Sequence, residues 1–567
     1  MSRIHSSRLI FNSHYLKMKF FQNSIDLVKH YSNTIRTSYR NLSVTANDRT
    51  SKIQEDHSEI EKKRGLENKQ FKDLRLKEMY SDSERNWYPH KFGFTMSVMD
   101  FLDKFSSLDS SDQSEKRDIC LCGRITNIRK HGKNLSFIDI RQDESIVQIK
   151  ASASAYEGDF RNDMISIRRG DIIGVKGFPT VTKSGELSLH SKSLTLLAPT
   201  LKIIPSQALI DTELRYRKRH LDLLTNKESR YIFRARARIL SHIRSYLDQQ
   251  GFMEVETPVL TDGIGGASAA AFDTYHNDLQ MKMSLRIAPE LHLKSLVVGG
   301  FDRVYEIGKQ FRNEGIDSTH NPEFTSCEFY MAYADYNDLL NFTEDLLSKT
   351  ASNLKCLKSA SALNIDEELY NAFIEKSYKR IEFLPALEAA TDTKFPDPSE
   401  LTDDSVEAVK LLSTLCEAHN IQINERKTSK LLDKLFSKLI EPELKLPTFV
   451  LHHPSCMCPL AKEHRSIKGM AERFELFAGG LELVNAYTEL NDPIEQQKQF
   501  KNQKQLKLLH EEDSNTEKEF VDSLEYGLPP TAGWGLGVDR LVMLLTNQVS
   551  IREVLLYPTM RRKADEY

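Results

Sequence analysis

The chain has 567 residues, 28% of them charged, and a formal net charge of −3. A chain of this length exceeds what one hydrophobic core supports, so we expect two or more domains. The small net charge excludes a strongly basic polyanion-binding protein, and any contact with nucleic acid must come from local clusters of Lys and Arg. No apolar run approaches the roughly 20 residues that cross a bilayer, so the sequence predicts no membrane-spanning helix.

The first 45 residues are basic, rich in Ser and Asn, and poor in acids. This composition, without the apolar stretch of a secretory signal, is typical of a mitochondrial transit peptide over residues 1–45. A basic arm that touches RNA is the alternative. We therefore expect the mitochondrial matrix as the location, with a cytoplasmic or dual location as the alternative. The basic residues are Arg3, Arg8, Lys17, Lys19, Lys29, Arg36 and Arg40, against the acid Asp26.

Residues 46–114 change to mixed charge with few apolar positions, which indicates a solvated, charged linker or an isolated helical extension. Residues 115–200 then carry five short apolar runs separated by glycine and charged turns. Five such strands favour a small closed barrel of the OB type, which commonly binds single-stranded nucleic acid. A barrel used only for docking is the alternative. The runs are Ile119–Ile125, Leu135–Ile140, Ile146–Ile149, Ile172–Val175 and Leu187–Leu189.

Residues 210–567 show strands and helices in mixed order, which predicts an α+β domain with a mostly antiparallel sheet flanked by helices. Its first long helix follows the basic stretch Arg215–His220 and ends at Gly251, and a strand then leads to Pro258. The region 350–445 is helical in pattern and indicates an insertion or a packing layer. The apolar positions of the long helix are Ile232, Phe233, Ile239, Ile243 and Leu247.

A hairpin is predicted within Arg303–Tyr330, with the loop Gly315–Pro322 between its strands. Alternation puts Gln310, Arg312 and Glu314 on one face of the first strand. That face and the matching face of the second strand are too polar for a core. They suit an ATP-dependent acyl transfer, because Arg neutralises phosphate and carboxylate charge and an aromatic ring holds adenine. The second strand presents Phe324, Ser326, Glu328 and Tyr330.

Three segments in chain order resemble the motifs of class II aminoacyl-tRNA synthetases. The long helix and the strand ending at Pro258 resemble motif 1, and Phe311–Glu314 with His320–Phe324 resembles motif 2. Gly533–Arg540 is similar to motif 3, in which glycine lets the backbone pack closely. The resemblance implies an OB-type barrel followed by a class II catalytic domain, and a homodimer formed through motif 1.

The same resemblance implies the residues that handle ATP. It gives Arg312, Glu314 and Arg540 catalytic roles, with Arg540 over the purine and against the γ-phosphate. It implies a reaction in two steps without a covalent enzyme intermediate. The ATP-binding residues that it implies are Arg312, Glu314, His320, Phe324, Gly537 and Arg540.

The charge of the predicted pocket indicates which amino acid is the substrate. A second hairpin, turning at 478–480, puts Asn485, Tyr487 and Glu489 on one face, and Glu290 and Glu328 would join them in a pocket rich in carboxylate. Such a pocket suits a cationic substrate and rejects aspartate. The comparison with subclass IIb lysyl-tRNA synthetases, in particular mitochondrial forms, implies the partners lysine, ATP and tRNA(Lys). It implies lysine contacts at Gly266, Glu290, Glu328, Tyr330, Asn485, Tyr487 and Glu489.

The resemblance also implies that Glu475 and Glu482 bind Mg²⁺ beside the triphosphate, as hard oxygen ligands. Simple alternation places Glu482 opposite Glu489, so both can face the site only if the strand bulges after Gly480. In the barrel the resemblance implies that four residues read a U-rich anticodon, although the position of Phe137 on a strand, taken alone, favours a core residue. They are Arg129, Phe137, Gln148 and Glu186.

Two other functions and one other metal site remain open from the sequence. The same architecture could load lysine onto a protein, which Phe137 and Gln148 argue against. A catalytically silent RNA-binding scaffold would be expected to lack Arg312, Glu314 or Arg540, all of which are present. The segment His452–Cys458, with His464, is an alternative metal site, but its C-x-C spacing is not that of a tetrahedral zinc site, and reduced thiols are favoured.

Overall fold

The computed structural model describes residues 65–108, 118–263, 265–266, 269–355, 365–506 and 515–561. The predicted transit peptide, 1–45, and part of the linker, 46–64 and 109–114, lie outside the described residues. The chain divides after Pro205 into two units. Within the described residues, no helix combines the length and the apolar character that a membrane span requires.

The first unit contains a closed five-stranded barrel with the strand order β1-β2-β3-β5-β4. Alternating apolar residues such as Leu121, Ile138, Ile149 and Val175 fill its interior and are fully buried. The predicted OB-type barrel is confirmed, and its strands extend beyond the apolar runs because their outer ends are polar. The strands are β1 (Ile119–His131), β2 (Leu135–Gln142), β3 (Ser145–Ser152), β4 (Ile172–Val181) and β5 (Leu187–Ala198).

Three helices accompany the barrel, and the first corrects the expectation of a solvated linker or isolated helix. Arg75 on that helix is 1% exposed and pairs with buried Asp171, with 2.6 Å between Nη2 and Oδ2. Arg75 also donates to the carbonyl oxygen of Ser166. A buried charge is stable only when paired in this way, so the helix is fixed to the barrel. The helices are α1 (65–81), α2 (Val98–Lys104) and α3 (Phe160–Ser166).

The second unit contains an eight-stranded sheet with the order β12-β13-β14-β15-β16-β11-β10-β6. Its pairings are antiparallel except for β12 with β13 and β10 with β6, which confirms the predicted mostly antiparallel sheet. A small second sheet has the order β7-β9-β8. The strands are β6 (Met253–Glu254), β7 (Leu260–Thr261), β8 (Asp273–His276), β9 (Met281–Leu285), β10 (Arg303–Phe311), β11 (Glu323–Ala332), β12 (Lys379–Glu382), β13 (Thr448–Leu451), β14 (Arg473–Ala478), β15 (Leu481–Thr488) and β16 (Thr531–Gly537).

The long helix of the second unit packs one apolar face on this sheet. Ile232, Ile239, Ile243 and Leu247 are buried at helical spacing, and each contributes about 1.5–3 kcal/mol through burial. Gly251, at φ 78°, ends the helical segment. The helices up to this region are α4 (Thr212–Arg217), α5 (Arg219–Thr225), α6 (Lys227–Gln249) and α7 (Glu290–Val298).

The region predicted as a helical insertion, 350–445, packs around its own apolar cluster, which includes Leu412, Leu431 and Leu435. Its regular elements are helices apart from β12, which extends the main sheet, and 356–364 lie outside the described residues. The remaining helices are α8 (Tyr336–Lys355), α9 (Glu367–Ile374), α10 (Phe383–Thr391), α11 (Val406–Ala418), α12 (Thr428–Leu439), α13 (Pro493–Leu506), α14 (Asn515–Glu525), α15 (Val538–Leu545) and α16 (Ile551–Val554).

Candidate active site

The floor of the site is formed by three neighbouring strands, β11, β16 and β15. In one row across them Gly533 pairs with Tyr330 on one side and Tyr487 on the other. Two residues further along, Gly535 pairs with Glu328 and with Asn485. Side chains at alternate positions share a face. The tyrosines, the glutamate and the asparagine therefore stand around a central strand that presents only glycine.

Gly533 of β16 is required by the close approach of its neighbours. A Cβ atom at Gly533 would lie 1.9 Å from Oε1 of Glu489 and 2.7 Å from the ring of Tyr330. A Cβ at Gly535 would make an ordinary contact, 3.6 Å from Cγ of Glu328. On the opposite face, Trp534 and Leu536 are buried in the core. Strand β16 thus has one face that is buried in the core and one face that presents only backbone to the cavity.

Above this floor lies a cavity of about 480 Å³. Its walls come from the N-terminus of α7, the loop that follows β10, and the start of α15. Arg312 and Glu314 lie in that loop and not in the strand as predicted, because β10 ends at Phe311. The predicted residues that line the cavity are Gly266, Glu290, Arg312, Glu314, His320, Phe324, Glu328, Tyr330, Glu482, Asn485, Tyr487, Gly537 and Arg540.

One end of the cavity is acidic and largely buried. Burial, and after it the negative charge of Glu290, raises the pKa of Glu328 to about 8. Burial also raises the pKa of Glu489 to about 8, although Lys294 acts in the opposite direction. Glu489 is 1% exposed, and its Oε1 atom has no hydrogen-bond partner. These carboxyl groups are poised to ionise when a cation enters.

Tyr487 connects the floor of the site to the wall. Its hydroxyl donates to Oε1 of Glu290 over 2.8 Å. Burial, followed by the charge of Glu290, raises the pKa of both Tyr330 and Tyr487 well above the ordinary value, so both phenols stay neutral donors. Gly266, at φ 83°, lies against this wall, where an added Cβ would be 3.1 Å from Cβ of Glu290.

The other end of the cavity carries guanidinium groups and aromatic surface. Arg312 lies over the ring of Phe324, with its Cζ atom 5.1 Å from the ring centroid, and its buried Nε has no partner. Arg540, in the first turn of α15, donates to Oε2 of Glu482 over 3.2 Å and contacts Nε2 of His320 at 3.0 Å. Such groups bind phosphate oxygens and a flat purine.

A bulge in β15 resolves the orientation of Glu482. Leu476 pairs with Val484 whereas the next residue, Phe477, pairs with Glu482, so Leu483 is an extra residue in the strand. The extra residue reverses the alternation on its N-terminal side. Glu482 therefore lines the cavity together with Asn485, as the sequence allowed only if the strand bulged.

The two glutamates predicted to bind Mg²⁺ form an electrostatically coupled pair. Burial and the charge of Glu475 raise the pKa of Glu482. Burial works against ionisation of Glu475 too, but Arg473 and His453 lower its pKa to about 2. Two adjacent carboxylates are hard oxygen donors of the kind that Mg²⁺ prefers. Across the described residues, no cluster of three or more His, Cys, Asp or Glu is arranged to hold a metal, so further ligands would have to come from phosphates and water.

Three residues with a place in this site were missed by the sequence analysis. Lys294 contacts both Glu290 and Glu489 from below the acidic end. Arg473 donates to Oδ1 of Asn485 and pairs with Glu475. Asp539 accepts from the backbone nitrogen of Thr325 and pairs with Arg236. The spacing of Lys294, four residues after Glu290 on one helix, was the one available signal.

The alternative metal segment is occupied with other contacts. Nε2 of His453 lies 3.2 Å from Oε2 of Glu475, and the Sγ atom of Cys458 accepts from Nη1 of Arg473. The ring of His452 packs edge-on against that of His464, with 4.7 Å between centroids. These side chains hold β14 and the preceding loop in place beside the cavity.

The four residues predicted to read an anticodon line one open groove on the barrel. Phe137 is half-buried and pairs across the strands with Arg129, whose guanidinium forms two hydrogen bonds with Asp139. The Nε2 atom of Gln148 donates to Glu186 over 2.6 Å. Asp139 and His131, which packs edge-on against Phe137, also line the groove and were not predicted. A ring flanked by polar groups can stack on one base and bond its edges.

Comparisons with known proteins agree with this geometry. The family of tRNA synthetases class II (D, K and N) matches residues 211–561, and an OB-fold nucleic acid binding domain matches residues 119–197. The chain is 43% identical to lysine–tRNA ligase cla4 of Cladosporium cladosporioides, over 91% of this chain and 89% of the relative.

Relatives from distant organisms are similar over comparable lengths. A probable cytoplasmic lysine–tRNA ligase of Encephalitozoon cuniculi is 44% identical over 84% of this chain and 93% of its own. The lysine–tRNA ligase of Methanospirillum hungatei is 40% identical over 87% of this chain and 96% of its own. The predicted family and its two-part fold are confirmed: the chain belongs to the class II tRNA synthetases of the D, K and N group.

Proposed function

We propose that this enzyme activates lysine with ATP and transfers the lysyl group to the 3′ end of tRNA(Lys). The observation that carries the proposal is the acidic end of the cavity, where Glu290 and Glu328 line the wall and buried Glu489 lies against the glycine floor at Gly533. An ammonium group satisfies such carboxylates, and an apolar analogue leaves them unpaired at a cost of about 1–3 kcal/mol each. The names of the relatives, lysine–tRNA ligases, support the same substrate.

In this proposal the substrate lies along the floor from the acidic end to Arg312. The ε-ammonium group binds among the carboxylates and the two neutral tyrosine hydroxyls. The α-ammonium group stays near Glu328 and Gly266, and the carboxylate points toward Arg312. Adenine stacks on Phe324, and Arg540 with His320 and Gly537 holds the phosphates at the start of α15.

The first step forms a bond between a carboxylate oxygen of lysine and the α-phosphorus, while the bond to the bridging oxygen breaks and pyrophosphate leaves with its electron pair. Arg312 stabilises the charge that develops on the α-phosphate. In the second step the terminal ribose hydroxyl of the tRNA attacks the carbonyl carbon, and AMP leaves. No side-chain nucleophile is required, so positioning and electrostatics supply the rate.

Glu475 and Glu482 would hold Mg²⁺, which would neutralise phosphate charge when bound. The mutual repulsion of these two carboxylates supports this assignment, because a divalent cation held by the pair would relieve it. Glu314 is exposed at the mouth of the cavity and would contact the nucleotide from there.

Substitution of Arg312 tests the first step. We expect Arg312→Ala to lower lysine-dependent pyrophosphate exchange by roughly 10²–10³-fold, because the donor to the developing charge is lost. Binding of tRNA, measured by filter retention, should stay within about twofold of the wild type.

Arg238→Ala on the exposed side of α6 is the matched control and should exchange normally. Exchange by Arg312→Ala at the wild-type rate would exclude the assigned role.

Two rival functions are separated by one assay. An enzyme that loads lysine onto a protein would form lysyl-adenylate without charging tRNA transcripts, and a silent scaffold would do neither. Charging of transcripts with different anticodons, compared at equal concentration, distinguishes all three. We expect charging to depend on the anticodon because the barrel groove presents an aromatic ring beside Gln148 and Glu186.

We further propose a mitochondrial location and a homodimer. The composition of residues 1–45 supports the location, and a fluorescent fusion lacking those residues should lose mitochondrial import. Support for the dimer comes from large apolar side chains that are at least 38% exposed between residues 253 and 279. Sedimentation should give twice the chain mass. The exposed apolar residues are Met253, Val259, Leu260, Tyr275 and Leu279.

A further inference from the structure

Lys294 is a buried cation at the acidic end of the cavity. Its side chain is 0% exposed, and its Nζ atom lies 2.8 Å from Oε1 of Glu290 and 2.8 Å from Oε2 of Glu489. The same nitrogen lies 5.1 Å from the centroid of the Phe520 ring. Two carboxylates and an aromatic face thus surround the three donors of the ammonium group. These contacts hold the ammonium group of Lys294 against two carboxylates.

These contacts decide which carboxylate oxygens remain for a substrate. Oε1 of Glu290 is taken by Lys294 and by the hydroxyl of Tyr487. Oε2 of Glu489 is taken by Lys294, whereas its Oε1 is buried, has no partner and points at Gly533. Because Gly533 has no side chain, that oxygen faces the floor of the cavity. Lys294 therefore turns one free acceptor toward the place where a substrate ammonium would lie.

The charges of the acidic end can be balanced. When ionised, Glu290, Glu328 and Glu489 carry three negative charges, and Lys294 supplies one positive charge. Two negative charges remain, and lysine brings two ammonium groups. Without Lys294 the pocket would hold three buried negative charges, and a carboxyl group would have to keep its proton.

We propose that Lys294 is a specificity-determining residue that positions the pocket: its ammonium group neutralises one of the three carboxylates, leaves two for the two ammonium groups of the amino acid, and orients Glu489 toward them. This inference rests on the proposed activation of lysine. It predicts that loss of the Lys294 side chain weakens binding of the substrate lysine more than it affects ATP binding or turnover. The reason is that the contacts of Lys294 lie only at the acidic end.

The test begins with pyrophosphate exchange by the wild-type enzyme, since failure to exchange with lysine would refute the proposed function itself. Given exchange, Lys294→Met should raise KM for lysine at least tenfold, change KM for ATP less than twofold and change kcat less than KM. The pH above which KM becomes constant should rise by at least one unit, because Glu489 would lose the neighbouring cation that favours its ionised form. Lys349→Met, on α8, is the matched control and should match the wild type.

Unchanged KM for lysine and an unchanged pH profile in Lys294→Met would overturn the proposal. If that variant does not fold, Lys294→Met with Glu290→Gln is compared with Glu290→Gln alone. The charge balance predicts a folded double variant whose KM for lysine lies within threefold of the single one. A double variant that is unfolded, or whose KM is tenfold higher, would overturn the proposal as well.

Discussion

Glu328 and Glu489 show how the proposed selectivity for lysine depends on single residues. Each is a carboxyl group in a poorly hydrated place, and burial raises the pKa of each to about 8. The folded protein without substrate would be more stable with neutral groups there, so this arrangement favours binding over stability. An entering ammonium group makes ionisation favourable and displaces a proton.

The affinity for lysine is therefore expected to depend on pH. Below pH 8 the buried carboxyl group of Glu328 keeps a proton that must leave when an ammonium group binds, so KM for lysine should fall by about three- to tenfold as the pH rises from 6.5 to 7.5. Above about pH 8 the dependence should end. Exchange kinetics across this range measure the effect, with KM for ATP as the reference. A KM for lysine that is constant from pH 6.5 to 8 would show that Glu328 is already ionised in the free enzyme.

At the scale of elements, β15 and β16 determine which side chains line the cavity. The glycines of β16 leave room for side chains of both neighbouring strands, and the bulge at Leu483 brings Glu482 to the cavity side of β15. The start of α15 then positions Arg540 at the end of β16. One continuous segment thus forms the floor of the cavity and contributes Arg540 to the end that carries guanidinium groups.

The effect of an alanine substitution in β16 should depend on how close the added methyl group comes to neighbouring side chains. We expect Gly533→Ala to reduce lysine activation at least 10²-fold, because its methyl group would occupy the position next to Oε1 of Glu489. Gly535→Ala, where the added atom meets Cγ of Glu328 at ordinary contact distance, should lose about tenfold or less. Exchange assays with melting curves compare the two. Equal activity of the two variants would contradict a steric role for Gly533.

Particular residues show how far the sequence predicted this arrangement. Alternation along β11 correctly predicted that Phe324, Glu328 and Tyr330 share a face, because period two is a local property of a strand. The bulge at Leu483 could only be posed as a condition, since a bulge depends on the pairing with β14. Lys294 reads as an ordinary helical lysine, because one of its two carboxylate partners lies 195 residues away in the chain.

At the scale of the whole molecule, the chain has two units with separate chemistry. The barrel residues 119–197 match a nucleic-acid-binding fold, and 211–561 match the catalytic family. The proposed anticodon contacts lie in the first unit, and every proposed lysine and ATP contact lies in the second. Recognition of the tRNA and formation of the adenylate should therefore be separable by substitution.

Phe137→Ala should separate the two activities. Loss of one base–aromatic stack, worth about 1–3 kcal/mol, should raise KM for tRNA about tenfold or more, while pyrophosphate exchange stays unchanged. Phe178→Ala, on another part of the barrel, serves as the control and should charge tRNA normally. Aminoacylation kinetics with a transcript provide the measurement. A drop in exchange in Phe137→Ala would argue against independent units.

The bare floor of β16 also limits how this enzyme can be re-engineered. Gly533 and Gly535 have no side chain to remove, so substitutions there can make the pocket shallower but never deeper. Room for a longer or bulkier amino acid analogue must be made in the surrounding walls, at Tyr330, Tyr487 or the first turn of α7. Variant libraries that aim to charge unnatural amino acids should therefore keep the glycines fixed and diversify those walls.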